Sequence, residues 1–420
     1  MDAPGPSTRQ AKDEPSGQAA NRSPALLKDV KNMNTKQALE IVQHALENPV
    51  STWLDYTPKN VPIVLYDDNE FVFINHPNPF KERPDNLTAA TALKINGLLT
   101  ATIPLKRCDD ELLLVPLVYH ECFHVYQGQK FQYDGEYDFF EVLAFYPEMN
   151  PAYRALCSAE TDVFNNSALA NLDKAKILSA TAQKRRQILA EHAGLLDFEN
   201  NLERNEGLAS FVEQKAKLQR FNISPDNSTC YYGYSRQYFM GAATCWLFEQ
   251  MYSSKEWQEK VEHGLSLSAL LAQSAAQEQD LSLLHLEHRE SMEKQKVEQI
   301  LSDANRKIEN LFQNGAITIK LPSKIDVFRS FSPRSIISLG DGRLIHPEFV
   351  IIQTPNGSIS VESEMTLENY NDDTVTFSSK PYKVIDEKLV IDTKNVRVSL
   401  ENVRQSSAGI VEVFEIQKAG

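Results

Sequence analysis

Residues 120–124 constrain the fold of this chain most, because they read H-E-C-F-H within an apolar segment, residues 112–126. Two histidines four residues apart lie on the same face of a helix, one turn apart. That spacing lets two imidazole nitrogens bind one tetrahedral Zn²⁺ at about 2.0–2.1 Å. Glu121 follows the first histidine and can act as general base toward a metal-bound water. The motif therefore predicts a buried helix that carries two zinc ligands, His120 and His124, and a base.

The alternative to a metal site is a helix whose histidines and carboxylate are satisfied by the protein alone. From residue frequencies, a chain of this length contains the H-E-x-x-H pattern by chance about once in a hundred cases. Burial of such groups without partners costs several kcal/mol, and the flanking residues predict burial. These apolar flanks are Leu112, Leu113, Leu114, Val115, Leu117, Val118, Phe123 and Val125. A bound metal is the simplest partner, so we favour the zinc interpretation.

Composition restricts the class of protein and its partners. The chain has 420 residues, a net charge of −14 and 42% hydrophobic residues, which is enough for two or three domains with packed cores. The negative charge disfavours a general nucleic-acid binder, and no apolar run is long enough to predict a membrane span. The five cysteines form no C-x-x-C pair, so they predict no cysteine-based zinc site.

The first 24 residues are rich in Pro, Gly, Ser, Gln and charge and lack an apolar signal-peptide core. We interpret residues 1–24 as a disordered leader. As written, the chain predicts a cytoplasmic protein, or a secreted one if a native signal has been removed. The sequence does not indicate an oligomeric state.

Periodicity predicts an α+β protein. A first domain is expected over residues 25–325, with a small antiparallel sheet at 60–105 and helices at 110–315. Two hairpins are predicted in the sheet, one joining residues 61–66 to 71–74 and one joining 92–95 to 98–105 across Asn96-Gly97. Within this domain, the charged segment 281–312 carries a helical apolar stripe and predicts an amphipathic helix packed on the domain rather than a coiled coil. Short β-type runs after Pro322 and Pro333 predict a C-terminal all-β accessory domain over residues 331–420, sandwich-like or barrel-like.

A catalytic zinc needs a third ligand, and residues 203–213 offer candidates. Glu203, Glu206 and Glu213 are spaced so that they can share one helix face, and the small residues after Glu206 would allow close packing against the motif helix. A charged, solvated helix face is the common explanation of such a run. The H-E-x-x-H motif favours Glu206 as the third ligand, with Glu203, Glu160 and Glu141 as the alternatives.

The two segments together resemble the gluzincin metallopeptidases, or a bacterial family that shares their core. These enzymes combine H-E-x-x-H with a glutamate from a downstream helix, in an E-G-x-A-x-(Tyr/Phe) or N-E setting that residues 205–211 match. The resemblance covers about residues 90–255 at the level of motifs. It implies that residues 25–325 form a zincin-like metallopeptidase domain, in which His120, His124 and Glu206 bind one Zn²⁺ and Glu121 is the base. Two departures are the 82 positions between His124 and Glu206, and Ser210 where thermolysin-like enzymes place an acid that orients a histidine.

The predicted chemistry is hydrolysis of a peptide or protein substrate by a metal-activated water, with Glu121 transferring the proton. The oxyanion needs a further donor, and Tyr238, in a polar-aromatic cluster with Tyr231, Tyr232, Tyr234 and Arg236, is a candidate, although packing is the commoner role of such residues. Residues 100–104 could act as an edge strand for substrate.

The alternatives to a peptidase are a non-catalytic peptidase-like binding protein and another zinc amidase of the deformylase type, whose site uses a cysteine.

Overall fold

A computed structural model describes residues 33–83, 87, 89–132, 137–225, 232–274, 280–322, 327–332, 335–379, 382–407 and 409–414. Within these residues the chain is α+β: helices and a small sheet are followed by a region of mostly β strands. The predicted fold class is confirmed, with open sheets rather than a closed barrel in the C-terminal region. The leader predicted at residues 1–24 lies outside the described residues. No described helix is both long and apolar enough to cross a bilayer.

The helical part precedes residue 316. Its helices are α1 (Thr35–Glu47), α2 (Glu111–Lys130), α3 (Phe139–Ala144), α4 (Pro151–Asn165), α5 (Asn171–Leu189), α6 (Leu195–Leu202), α7 (Leu208–Phe221), α8 (Tyr234–Met251), α9 (Glu256–Glu262), α10 (Leu267–Ser274) and α11 (Leu286–Gln313). A π-helical turn, Glu203–Gly207, joins α6 to α7 without a break. Short 3₁₀ turns are Pro58–Asn60, Leu105–Arg107 and Ser282–Leu284.

The small sheet contains β1 (Ile63–Tyr66), β2 (Phe71–Ile74), β3 (Thr91–Ile95) and β4 (Leu98–Pro104), in the order β2-β1-β4-β3. Both predicted hairpins form, β1–β2 and β3–β4. The sheet is not wholly antiparallel as predicted, because the second hairpin joins the first through a parallel β1–β4 pair. As a result β4 is an interior strand, and β3 lies at the edge.

Helix α2 carries the motif and packs along α7 and β4. It begins at Glu111, because Asp110 accepts a hydrogen bond from the backbone N–H of Leu113 at 3.0 Å and caps the helix. Pro116 lies in its second turn. Leu112 and Leu113 are exposed at that end, contrary to the burial expected for them. Residues 114–127, which include the motif, are buried or partly buried, and residues 128–130 are exposed at the other end.

The C-terminal region begins at Ala316, before the boundary at residue 331 that the prolines suggested. Its strands are β5 (Ala316–Lys320), β6 (Phe328–Phe331), β7 (Ile337–Ser338), β8 (Arg343–His346), β9 (Phe349–Thr354), β10 (Gly357–Glu362), β11 (Thr366–Asn369), β12 (Thr374–Ser378), β13 (Val384–Ile385), β14 (Lys388–Asp392), β15 (Val396–Glu401), β16 (Val403–Gln405) and β17 (Val411–Val413). They form a six-stranded sheet, β13-β14-β15-β10-β9-β6, and a seven-stranded sheet, β16-β17-β5-β12-β11-β8-β7. One apolar cluster contains side chains from both sheets, so the two pack face to face as a sandwich.

Helix α11 connects the two regions. Its first half packs on α4, where the buried Glu293 accepts a hydrogen bond from Arg154 Nε at 2.8 Å. Its second half contributes Ala304, Ile308 and Leu311 to an apolar cluster with residues of the sandwich. The amphipathic packing predicted for this segment is confirmed.

A buried polar cluster centres on Glu368 in β11. Glu368 accepts hydrogen bonds from Arg329 Nε at 2.9 Å and from the Tyr370 hydroxyl at 3.1 Å, and His346 Nε2 lies 2.9 Å from its other oxygen. Burial alone would raise the pKa of Glu368, but His346 and Arg329 outweigh burial and lower it to about 2. The charged carboxylate therefore stabilises the folded domain.

Substitution of Glu368 by Gln tests this contribution. The stabilisation is present above the ordinary carboxyl pKa of 4.5 and is lost as the pH falls toward the folded value of about 2. We expect E368Q to lower the free energy of unfolding by about 3 kcal/mol at pH 7 and by about half of that or less near pH 3. Denaturant titrations at both pH values measure the difference. E401Q, at an exposed ion pair with Lys388, is the control and should change stability little; an equal loss for E368Q at both pH values would contradict the assignment.

Candidate metal centre

Three predicted ligand side chains converge at the contact between α2 and the π-helical turn. Glu206 Oε2 lies 3.6 Å from His120 Nε2 and 3.4 Å from His124 Nε2. The ligand atoms of these three residues all lie within 4.8 Å of one another, close enough to hold one metal ion. The side chains are about nine-tenths buried, and Glu206 is the most exposed at 13%. The group is therefore sheltered but reachable from solvent.

The π-helical turn Glu203–Gly207 brings Glu206 to the histidines. A π turn inserts an extra residue in a helix and redirects the side chains that follow it, and such turns are frequent at functional sites. Close packing on α8 supports the turn: a Cβ at Gly207 would lie 2.6 Å from the Cα of Gly241. The two glycines therefore let the backbones of the turn and of α8 touch.

Each histidine is oriented through its other ring nitrogen. His120 Nδ1 lies 3.2 Å from Glu213 Oε2, and His124 Nδ1 lies 2.8 Å from Gln127 Oε1. A carboxylate and an amide oxygen can only accept hydrogen bonds, so each Nδ1 carries the proton and donates it. Both Nε2 atoms then turn an unprotonated lone pair toward Glu206 in the neutral imidazoles. This arrangement of partners is typical of metal-binding histidines.

Neither orienting residue was assigned its role from sequence. The sequence places Glu213 on the same helix face as Glu206. In the structure Glu213 is the acid that orients His120, the role that Ser210 cannot perform. Gln127 was missed, although it follows His124 by three positions and so lies one turn along the same face. That spacing was the available signal.

The site is electrostatically coupled in the metal-free chain. Burial alone would lower the pKa of His120, but Glu206 and Glu213 outweigh it and raise the pKa to about 10. Burial alone would likewise raise the pKa values of the two glutamates, and the histidines lower them instead, that of Glu213 to about 2. The acids therefore favour positive charge at the imidazoles, which is the charge that a metal cation supplies.

Glu121 lies beside the ligands on α2 and is 4% exposed. Its Oε2 is buried and has no hydrogen-bond partner among the described residues. Burial raises the pKa of Glu121, and the two histidines act in the opposite direction. A buried carboxylate oxygen without a partner is costly for folding alone, and this one lies on α2 beside the candidate ligands His120 and His124.

The predicted aromatic cluster is only partly placed at the site. The ring of Tyr238, in α8, lies nearly parallel to the His120 ring, with centroids 6.4 Å apart. Tyr232 packs elsewhere, donating to Glu293 at 3.1 Å. Tyr231 and the side chain of Tyr234 lie outside the described part of the chain. Tyr238 is therefore the tyrosine of this cluster that the structure brings to the histidines.

The alternative third ligands are engaged elsewhere or exposed. Glu160 accepts a hydrogen bond from Arg185 Nε at 3.2 Å and one from Arg236, deep in a cluster of buried charges. Glu203 Oε1 lies 3.8 Å from Arg185 at the border of the same cluster, and burial and Glu199 raise the pKa of Glu203 to about 7. Glu141 is exposed. Of the four candidates, the geometry brings Glu206 to both imidazoles.

Comparisons of this chain with models of known families, with curated proteins and with solved structures found no match.

Removal of the Glu206 charge should weaken metal binding. We expect E206Q to lower the affinity for a divalent cation at least about tenfold, the loss that follows removal of even an outer partner of a ligand. Competition with a chromophoric chelator measures the affinity. E141Q removes an exposed glutamate on α3 and serves as the control, with unchanged affinity expected; equal affinities for E206Q and the unmodified chain would exclude Glu206 as a ligand.

The contact between Gly207 and Gly241 should not tolerate a methyl group. We expect G207A to lower the free energy of unfolding by about 1–3 kcal/mol, because the added Cβ would meet backbone atoms. In G128A, on α2, the added Cβ meets only the end of the Leu99 side chain, which can rotate away. Thermal unfolding should therefore show a smaller change for G128A, and equal melting temperatures for G207A and the unmodified chain would contradict the close packing.

Proposed function

We propose that this chain is a zinc-dependent peptidase. The observation that carries the proposal is the convergence of His120, His124 and Glu206 next to Glu121, whose buried Oε2 has no partner among the described residues. Catalytic zinc sites typically use three protein ligands and leave one position open, whereas structural sites use four. Two imidazoles and one carboxylate form a catalytic donor set of this kind.

The distances from Glu206 to the two histidines are compatible with zinc. Ligand atoms of a tetrahedral zinc site lie about 3.3 Å apart, and Glu206 Oε2 lies 3.4 Å and 3.6 Å from the two Nε2 atoms. His120, His124 and Glu206 would hold the ion, with Glu213 and Gln127 orienting the two histidines. Zinc bound there would supply a Lewis acid for a substrate carbonyl and would lower the pKa of water toward about 7.

Glu121 supplies the base in the proposed reaction. Its carboxylate takes a proton from the attacking water and transfers it to the amine that leaves. Its Oε2, which has no partner within the described part of the chain, is the atom that would hold this proton. Tyr238 is the candidate donor to the oxyanion, since its ring lies beside that of His120 and a tyrosine hydroxyl can donate to developing negative charge.

A substrate strand would pair with β3 rather than with β4. The prediction that residues 100–104 form an edge strand is wrong, because β4 pairs with β1 on one side and with β3 on the other. Strand β3 occupies the end of the sheet, and its partner β4 packs against α2 just beyond the motif, with Leu99 touching Gly128. An extended peptide can add to the outer edge of β3 by backbone hydrogen bonds.

The alternatives fit the residues less well. A binding protein needs no general base at Glu121, and burial of its Oε2 without a partner among the described residues costs stability. A deformylase-type amidase uses a cysteine ligand, whereas the metal-binding group among the described residues contains two histidines and a glutamate. Cys122 lies within the motif but is fully buried.

Substitution of Glu121 by Gln separates a peptidase from a binding protein. We expect E121Q to retain one equivalent of zinc, because Glu121 is not a ligand, and to lose peptide hydrolysis by about 10²–10⁴-fold, the contribution typical of a general base. Zinc content by elemental analysis and turnover of a mixed peptide library measure the two properties. E141Q is the control for both; an active E121Q enzyme, or a zinc-loaded unmodified protein with no hydrolysis, would reject the peptidase assignment.

A further inference from the structure

Gln127 contacts both elements that carry the proposed metal ligands. It lies on α2 one turn after His124 and is 1% exposed. Its Oε1 lies 2.8 Å from His124 Nδ1. Its Nε2 donates to the backbone carbonyls of Arg204 at 2.8 Å and Asn205 at 3.0 Å, both within the π-helical turn. One buried amide thus spans the interface between the helix of the histidines and the turn of Glu206.

The two carbonyls determine which way the amide points. Carbonyl oxygens only accept hydrogen bonds, so the NH₂ end of Gln127 must face Arg204 and Asn205. The oxygen end must then face His124. The reversed amide would place three acceptors together and leave the NH₂ group opposite the imidazole. The backbone of the turn therefore selects a single amide orientation.

That orientation in turn determines the tautomer of His124. Because Gln127 Oε1 is an acceptor, His124 Nδ1 must carry the hydrogen, and the lone pair of the neutral ring is left on Nε2. This is the atom that lies 3.4 Å from Glu206 Oε2. The backbone of the turn thus controls, through one side chain, which nitrogen of His124 is available to a metal.

The same amide supports the turn itself. A π turn departs from the regular i to i+4 hydrogen bonding of an α-helix, and buried carbonyls need partners. Gln127 supplies donors to two consecutive carbonyls directly before Glu206. Glu213, by contrast, orients His120 from α7 and pairs otherwise with Lys217, at 2.6 Å on the surface of that helix. Gln127 is therefore the orienting residue that bonds to the backbone of the ligand-bearing turn.

We infer that Gln127 is a positioning residue that couples the two halves of the metal site: it sets the tautomer of His124 and holds the π-helical turn in the shape that presents Glu206. The inference rests on the proposed function, in that it takes these residues to be metal ligands. It predicts that the turn and the histidine respond together when the amide is changed, even without metal.

Two variants separate the two contacts. Q127M keeps the volume of the side chain and loses both contacts. Q127E keeps an acceptor for His124 but has no NH₂ group for the carbonyls. We expect Q127M to bind Zn²⁺ about 10–100-fold more weakly, and Q127E to recover part of this loss. Both variants should show faster backbone hydrogen exchange in the metal-free protein over residues 203–208, because both lose the donor.

The experiment combines Zn²⁺ affinity by chelator competition, the visible absorption of the Co²⁺-substituted protein, and hydrogen exchange of the metal-free protein. Q258M is the matched control, since Gln258 is equally buried in α9 and donates to Glu249 away from the ligands. It should leave the affinity and the Co²⁺ spectrum unchanged. Q127M with an affinity within twofold of the unmodified chain, an identical Co²⁺ spectrum and unchanged exchange would overturn the inference. Failure of the unmodified chain to bind zinc would instead overturn the proposed function.

Discussion

The site depends on the placement of one carboxylate, that of Glu206, against two imidazoles one turn apart on α2. The histidine spacing follows from regular helix geometry, but Glu206 reaches them only because the helix that carries it widens into a π turn at Glu203–Gly207. The backbone of the turn can approach α8 closely because Gly207 and Gly241 have no side chains at their contact. The buried amide of Gln127 donates hydrogen bonds to the backbone carbonyls of the turn.

Two separate clusters of charged side chains involve the π-helical turn: one contains Glu206 and the histidines, and the other contains Arg185. At the site, Glu206 and Glu213 raise the pKa of His120 to about 10, so the metal-free chain holds protons where a cation would bind. Metal uptake should therefore displace a proton from His120. Behind the turn, Arg185 contacts Glu160, Glu199 and Glu203 in the buried core. Of these contacts, the one between Arg185 and Glu203, at 3.8 Å, involves the first residue of the turn.

Much of the fold and of the metal site could be predicted from the sequence because the relevant patterns are local. Apolar alternation and turn residues located both hairpins, and the H-E-x-x-H motif with its downstream glutamate located the three side chains that could hold a metal ion. The order of strands could not be predicted, because the parallel pairing of β1 with β4 depends on the path between the hairpins rather than on either one. The π turn could not be predicted either, because the sequence of residues 203–207 is typical of an ordinary α-helix. Gln127 acts through contacts 77 and 78 positions away, which spacing along one helix does not reveal.

Anomalous X-ray diffraction at the zinc absorption edge, from crystals of the purified protein supplied with zinc, tests the convergence of these ligands most directly. We predict one strong anomalous peak per chain, within about 2.0–2.2 Å of His120 Nε2, His124 Nε2 and a carboxylate oxygen of Glu206. A peak bound by other residues, or no peak between α2 and the π-helical turn in zinc-supplied crystals, would contradict the metal centre and the peptidase function derived from it.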